Sequence, residues 1–206
     1  MNMNGKLFVF EGPDAAGKST VSSLFLDTLL AAGAKATKLS FPGKTPGRIG
    51  ELVYRVHHHP EEFHLNSITP ASLQALHIAA HLDLIETLIV PKLQNGECVI
   101  LDRFWWSTWV YGVVAGADQL ILDSLIDAER KAWGEWRPSA LFYLTCHVPL
   151  RPEPIENWNR LKAAYDTLIR REDTKYPIHL VPNDGPIETT MHVISTKLKS
   201  TFSSFI

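Results

Sequence analysis

Cysteine is nearly missing from this sequence: two in 206 residues, Cys98 and Cys146, each set inside an apolar run. A disulfide framework or thiolate metal clip needs more, so both read as buried free thiols of a reducing compartment. Charge imbalance is missing too, since 20 Lys and Arg stand against 22 Asp and Glu for a net charge of −2. Without a general basic field, the grip on a DNA or RNA polymer is disfavoured. No apolar run approaches the ~20 residues that a bilayer crossing needs. The opening MNMNGKLFVFEG lacks the basic start and small-residue cleavage site of a secretory signal. These absences predict a soluble, cytoplasmic chain with no membrane and no nucleic-acid partner.

What is present suits one sizeable core: 45% of the residues are apolar, and the length favours a single domain over 1–206. Short apolar runs at Leu7–Phe10, Ala36–Phe41, Cys98–Leu101, Leu141–Leu144 and Ile178–Val181 read as five strands. Helical periodicity separates them, from about Gly17, over Ile49–Val56, from Thr69-Pro70 to about Leu93, over Leu120–Ala132 and Ile155–Ile169, and from about Ile187. Thr69 before Pro70 is a cap followed by proline at the first helical position. That helix is apolar on two sides, with Leu73, Leu76, Ala80 and Leu84 on one and Ile78, Leu82, Ile85 and Ile89 on the other. Such a helix is buried on both, in the monomer or against a second subunit. Strands alternating with helices predict an α/β fold, a parallel sheet covered on both faces.

Gly12-Pro13-Asp14-Ala15-Ala16-Gly17-Lys18-Ser19 matches G-x-x-x-x-G-K-[ST], with a strand directly before it and a helix directly after. The glycines let successive backbone N–H groups turn inward on phosphate oxygens, and the helix N-terminus adds partial positive charge. Lys18 supplies a cation for a transferring phosphoryl group, and the Ser19 hydroxyl is a hard oxygen for Mg²⁺. The loop residues 12–20, with Thr20 closing them, are the expected ATP seat. Asp102-Arg103 ends the third strand, where ligands of open α/β sheets lie. Asp102 can hold Mg²⁺ through water, and Arg103 can grip an anionic acceptor.

With those residues in place, the chain resembles the thymidylate kinase family of P-loop nucleoside monophosphate kinases. FEGPDAAGKST is similar to the family's phosphate loop, including an acid at Asp14; Phe41-Pro42-Gly43-Lys44-Thr45 resembles its acceptor loop; Asp102-Arg103-Phe104 with Ser107 and Tyr111 resembles its Asp-Arg-Tyr segment. The resemblance implies a three-layer sandwich with sheet order 2-3-1-4-5, a homodimer, and transfer of the ATP γ-phosphoryl group to dTMP. It implies an acceptor region over about 41–81 and 102–112 and a short lid over about 147–160. Phe41, Pro42, Lys44, Arg48, Arg103, Ser107 and Tyr111 would hold the acceptor, and Asp14, Lys18, Arg103 and the lid's Arg151 would serve catalysis.

Three places depart from the family pattern. His77 and His81 stand where the family's long helix presents a base-stacking aromatic and a base-binding arginine. The lid, His147-Val148-Pro149-Leu150-Arg151-Pro152-Glu153-Pro154, is short and proline-dense, with Arg151 and Arg160 as its candidate arginines. Lys44 occupies an acceptor-loop position that relatives give to glycine or arginine. Trp105, Trp106 and Trp109 divide between core and pocket wall, with Trp105 expected nearest the ligand. The run His57-His58-His59 sits in a polar loop without ligand spacing and is set aside as a metal site. Two alternatives stay open: the same scaffold acting on another acceptor, or a nucleotide-binding protein without turnover.

Overall fold

The computed structural model describes residues 5–201. Five parallel strands form one sheet in the order β2-β3-β1-β4-β5: β1 Leu7–Glu11, β2 Ala36–Ser40, β3 Cys98–Asp102, β4 Ala140–Thr145 and β5 Ile178–Pro182. This is the order that the resemblance implied. Phe10 of β1 pairs with Asp102 on one side and Phe142 on the other, so the ends of β1 and β3 finish level.

Both faces of the central strands are covered. Leu7, Val9, Val99, Leu101, Leu141 and Tyr143 enter one core, while Phe8, Phe10, Cys98, Ile100, Phe142 and Leu144 enter the other. A strand apolar on both faces reads in sequence as a continuous run rather than an alternation, which is why short runs marked β1, β3 and β4, while the edge strands β2 and β5 are only partly buried. The second core is closed by Val21 and Phe25 of helix α1 (Lys18–Ala31) and Ile194 of α8 (Ile187–Thr201). The first is closed by α3 (Pro70–Leu84), α4 (Val90–Gln94), α5 (Trp105–Val114), α6 (Gln119–Trp133) and α7 (Ile155–Glu172). Helix α2 (Ile49–His58) packs against α3.

Thr69 caps α3 through the Ser72 N–H as the sequence predicts. The helix does not run evenly to its end: a π turn spans Ile85–Ile89 before α4. Pro91 explains the wider turn, because it has no N–H for the residue-87 carbonyl and its ring crowds that oxygen. Taken together, Pro70–Gln94 are long and apolar enough to cross a bilayer by length and composition, which corrects the expectation that no such stretch exists. Here Ile78, Leu84, Ile85, Ile89 and Leu93 lie in the first core. Leu76 is the exception to the two-faced reading, being exposed.

Helix α5 was not expected from sequence. WWSTWVYGVV carries no polar face to mark a 3.6-residue period, since Trp105, Trp106, Thr108, Trp109 and Val110 are all buried.

Candidate active site

Between β1 and α1 the chain turns through positive φ at Gly12 (144°), Ala15 (59°) and Gly17 (88°). A Cβ at Gly12 would stand 2.9 Å from the Leu144 carbonyl oxygen, and one at Gly17 2.3 Å from Asn183 Nδ2, so side chains are excluded by space as well as by backbone angle. Ala15 takes the same left-handed region with a side chain, a local strain of the kind found at ligand clamps. Lys18 is buried and folds over the loop, its Nζ donating at 2.8 Å to both the Gly12 and Pro13 carbonyls. Burial, aided by the nearby Arg103 cation, lowers its pKa to about 7. A bound polyphosphate would favour its charged form.

The loop is tied down from three sides. Tyr111 Oη accepts the Asp14 N–H at 3.0 Å, the Trp158 indole N–H donates to the Asp14 carbonyl at 2.9 Å, and the Leu150 N–H donates to the Ala15 carbonyl at 2.9 Å. The last bond lays the start of the lid against the phosphate loop.

Across from the loop, β3 ends at Asp102 and the chain turns through Arg103 at φ 77°. The Arg103 guanidinium donates to Ser107 Oγ at 3.0 Å and to Asp14 Oδ1. Burial opposes ionisation of Asp14, but Arg103 and Lys18 outweigh it and hold its carboxyl below the ordinary range. Beneath this turn lies Glu11, fully buried. Its Oε1 accepts the N–H groups of Phe104 (2.7 Å) and Ser107 (3.0 Å), and its Oε2 accepts the hydroxyls of Ser107 and Tyr165 at 2.9 Å each. Burial raises the Glu11 carboxyl, while Arg103, Lys18 and these donors pull against it.

The loop and the turn share one cavity of about 1010 Å³ at the carboxyl ends of β1, β2 and β3. Its far end is aromatic and imidazole-lined. The Phe41 and His81 rings stack with centroids 3.8 Å apart at 12°. His81 Nδ1 meets Glu129 Oε2 at 2.7 Å, and Glu129 also accepts the Trp133 indole N–H at 3.0 Å. His77 Nε2 lies 3.3 Å from His57 Nδ1. Burial, with His81, His57 and Arg103 around it, depresses His77 to about 3, so its ring is neutral at physiological pH. Lys44 Nζ sits 3.9 Å above the Tyr54 ring at the cavity edge.

Of the residues singled out from sequence, Asp14, Ala15, Gly17, Lys18, Ser19, Thr20, Phe41, Pro42, Lys44, His77, His81, Asp102, Arg103, Ser107, Tyr111 and Arg151 all line this one cavity. Two do not. Trp105, expected nearest the ligand, is 2% exposed in the first core, with the Arg130 guanidinium 4.7 Å from its ring. A flat apolar ring at the first turn of a buried helix is held by the core. Arg48, an expected acceptor contact, points to α3 instead and bonds Asp83 (3.2 Å) and Thr87 (2.7 Å). Arg160 also turns away, donating to the Val114 carbonyl at 2.7 Å.

Several lining residues were not anticipated: Lys38, Tyr54, His57, His58, Gln74 and Thr108. Lys38 Nζ bonds the Ser19 carbonyl at 2.8 Å and lies 3.8 Å from Asp102 Oδ2. Its alternation along β2 was the available signal. His57 and His58 were read as loop, whereas α2 runs through His58 and carries both onto the cavity wall. Among the described residues, no group of three or more His, Cys, Asp or Glu is placed to hold a metal ion.

Comparison with known proteins agrees with this geometry. The chain is 28% identical to a thymidylate kinase of Legionella pneumophila (strain Corby), over 100% of this chain and 97% of that one. Its fold matches a thymidylate kinase from Ehrlichia chaffeensis with a TM-score of 0.75 at 21% identity, covering 94% of this chain and 98% of that one. It matches the Candida albicans thymidylate kinase equally, with a TM-score of 0.75 at 19% identity over 96% and 92%. The family model described as Thymidylate kinase spans residues 10–197, from the end of β1 into α8 and across every wall of the cavity; the chain belongs to the thymidylate kinase family and is an ATP-dependent nucleoside monophosphate kinase of that type.

Proposed function

We propose that the loop end of the cavity seats ATP, the imidazole end seats dTMP, and the phosphoryl group crosses between them beside Asp14. One observation carries this reading. Lys18 Nζ lies 4.0 Å from Asp14 Oδ1, and Arg103 bonds the same oxygen, so two cations from opposite walls converge on one point. Charge grows on the transferring group where those cations stand, which is the stabilisation that phosphoryl transfer needs. Gly12 to Thr20 cradle the polyphosphate, Lys18 follows the moving group, and Arg103 with Lys44 fixes the acceptor phosphate in line. A phosphate acceptor is already ionised at neutral pH, so no strong base is required. Arg151, on the cavity wall at the lid, adds a third cation when the lid closes.

The donor set fits Mg²⁺: the Ser19 hydroxyl and the Asp102 carboxylate both line the cavity, and both are hard oxygens. When bound, the ion would neutralise phosphate charge. The nucleotide's phosphate oxygens and water would complete its shell. Lys38 beside Asp102 holds that carboxylate at the loop.

The enzyme reading further takes the whole of 1–206 as one domain working in the cytoplasm as a homodimer. Two buried free thiols support the reducing compartment. Exposed Ile49 and Leu52 on α2 and Leu76 on the neighbouring α3 support the pairing.

The test is ADP release with ATP, Mg²⁺ and a panel of nucleoside monophosphates and nucleosides. Turnover with dTMP above the rest is expected. Turnover with another member moves the acceptor assignment, and silence across the panel removes it.

A further inference from the structure

Among the described residues, two buried polar side chains of this cavity, Gln74 and Thr108, make no side-chain hydrogen bond. Gln74 lies on α3 at i, with His77 at i+3 and His81 at i+7, all three on the cavity face. The residue is 5% exposed, and its carboxamide makes no hydrogen bond to any described residue. Among the described residues no side-chain polar atom sealed from solvent lacks a partner, so the amide opens into the cavity it lines. Its stem is held in place: a Cβ on Gly112 of α5 would come within 3.0 Å of Gln74 Cγ. Thr108, also 5% exposed, lines the same floor from α5.

With no protein partner, the carboxamide bonds whatever fills the pocket, water or a polar ligand that displaces it. Apolar residues would otherwise suit this position on a helix that packs Ile78 and Leu84 into the core. The group offers an N–H donor and a C=O acceptor side by side. The ring of a thymine presents the complementary pair, a C4 carbonyl next to the N3–H. A planar ring resting among Phe41, His77 and His81 would bring that edge toward α3.

We propose that Gln74 determines base specificity by forming two parallel hydrogen bonds with the lactam edge of the acceptor's pyrimidinedione ring. The inference rests on the reading of the far end as the dTMP seat and adds the residue that reads the base. Gln74 touches the substrate away from the reacting phosphate, so its effect falls on acceptor binding and leaves the transfer step and the ATP site alone.

Steady-state kinetics with dTMP and with N3-methyl-dTMP, on the wild type and on Gln74→Met, test this. The methyl group removes the N–H donor, and methionine keeps the shape of glutamine without its polar atoms. The wild type is expected to use dTMP about 100-fold better by kcat/KM than the methylated analogue. Gln74→Met should close that gap to within a few-fold by raising the KM for dTMP, with kcat and the KM for ATP within about twofold. Equal use of both acceptors by the wild type overturns the inference without any variant having to fold. So does an unchanged KM for dTMP in a Gln74→Met protein with wild-type circular dichroism. Silence of the folded wild type with every nucleoside monophosphate is a different failure, because it removes the acceptor reading itself.

Discussion

Oε1 of Glu11 accepts the backbone N–H of Phe104 at 2.7 Å, joining the end of β1 to the turn that carries Arg103. The two residues are 93 positions apart in sequence. The turn holds Arg103 at positive φ, a conformation that a side-chain-bearing residue keeps only under external restraint. Glu11→Ala therefore leaves several buried donors unpaired and releases the turn. We expect it to lower unfolding stability by about 3 kcal/mol and to raise the acceptor KM. Urea denaturation checks the first, and a midpoint equal to wild type contradicts it.

Lys44 and Arg48 separate two roles that looked alike in sequence. Lys44 lines the cavity, while Arg48 is committed to Asp83 and Thr87. Lys44→Ala should raise the KM for dTMP about tenfold through loss of a charged contact to phosphate. Arg48→Ala should leave that KM within about twofold. Reversal of the two effects in steady-state assays contradicts the placement.

Both cysteines should be inert in the native protein. Burial pushes the Cys146 thiol up to about 11 and raises Cys98 as well. A thiol that keeps its proton longer when folded gives stability that is complete below the unfolded value of about 8.5 and lost as pH climbs towards 11. Alkylation by iodoacetamide at pH 8 should accordingly run at least about 100-fold slower before guanidinium unfolding than after it. Equal rates would place a thiol at the surface.

Much of the fold was legible because its signals are local. Short apolar runs marked the strands, those of β1, β3 and β4 being buried on both faces, Thr69-Pro70 marked the start of α3, and the glycines of the phosphate loop carried their own geometry. The sheet order came instead from the family resemblance. What sequence could not show was determined by burial. Helix α5 has no polar face, so its period is invisible, and the same burial that hides it takes Trp105 into the core.

The candidate site divides in the same manner. Lys18, Ser19 and Arg103 lie on a motif or at a strand end, where backbone position alone predicts their neighbours. Glu11 and Gln74 do not. Glu11 reads as the end of a strand, and its partners come from α5 and α7. Gln74 reads as one more residue of an apolar helix, and only the packing of α5 against it shows a carboxamide left open to the cavity.

The convergence of Lys18 and Arg103 on Asp14 is tested most directly by ADP release from Lys18→Ala, with ATP, Mg²⁺ and dTMP at saturation. Turnover should fall at least about 100-fold, with circular dichroism matching wild type. Turnover near the wild-type rate in that folded variant would show that the phosphoryl group does not travel past this lysine.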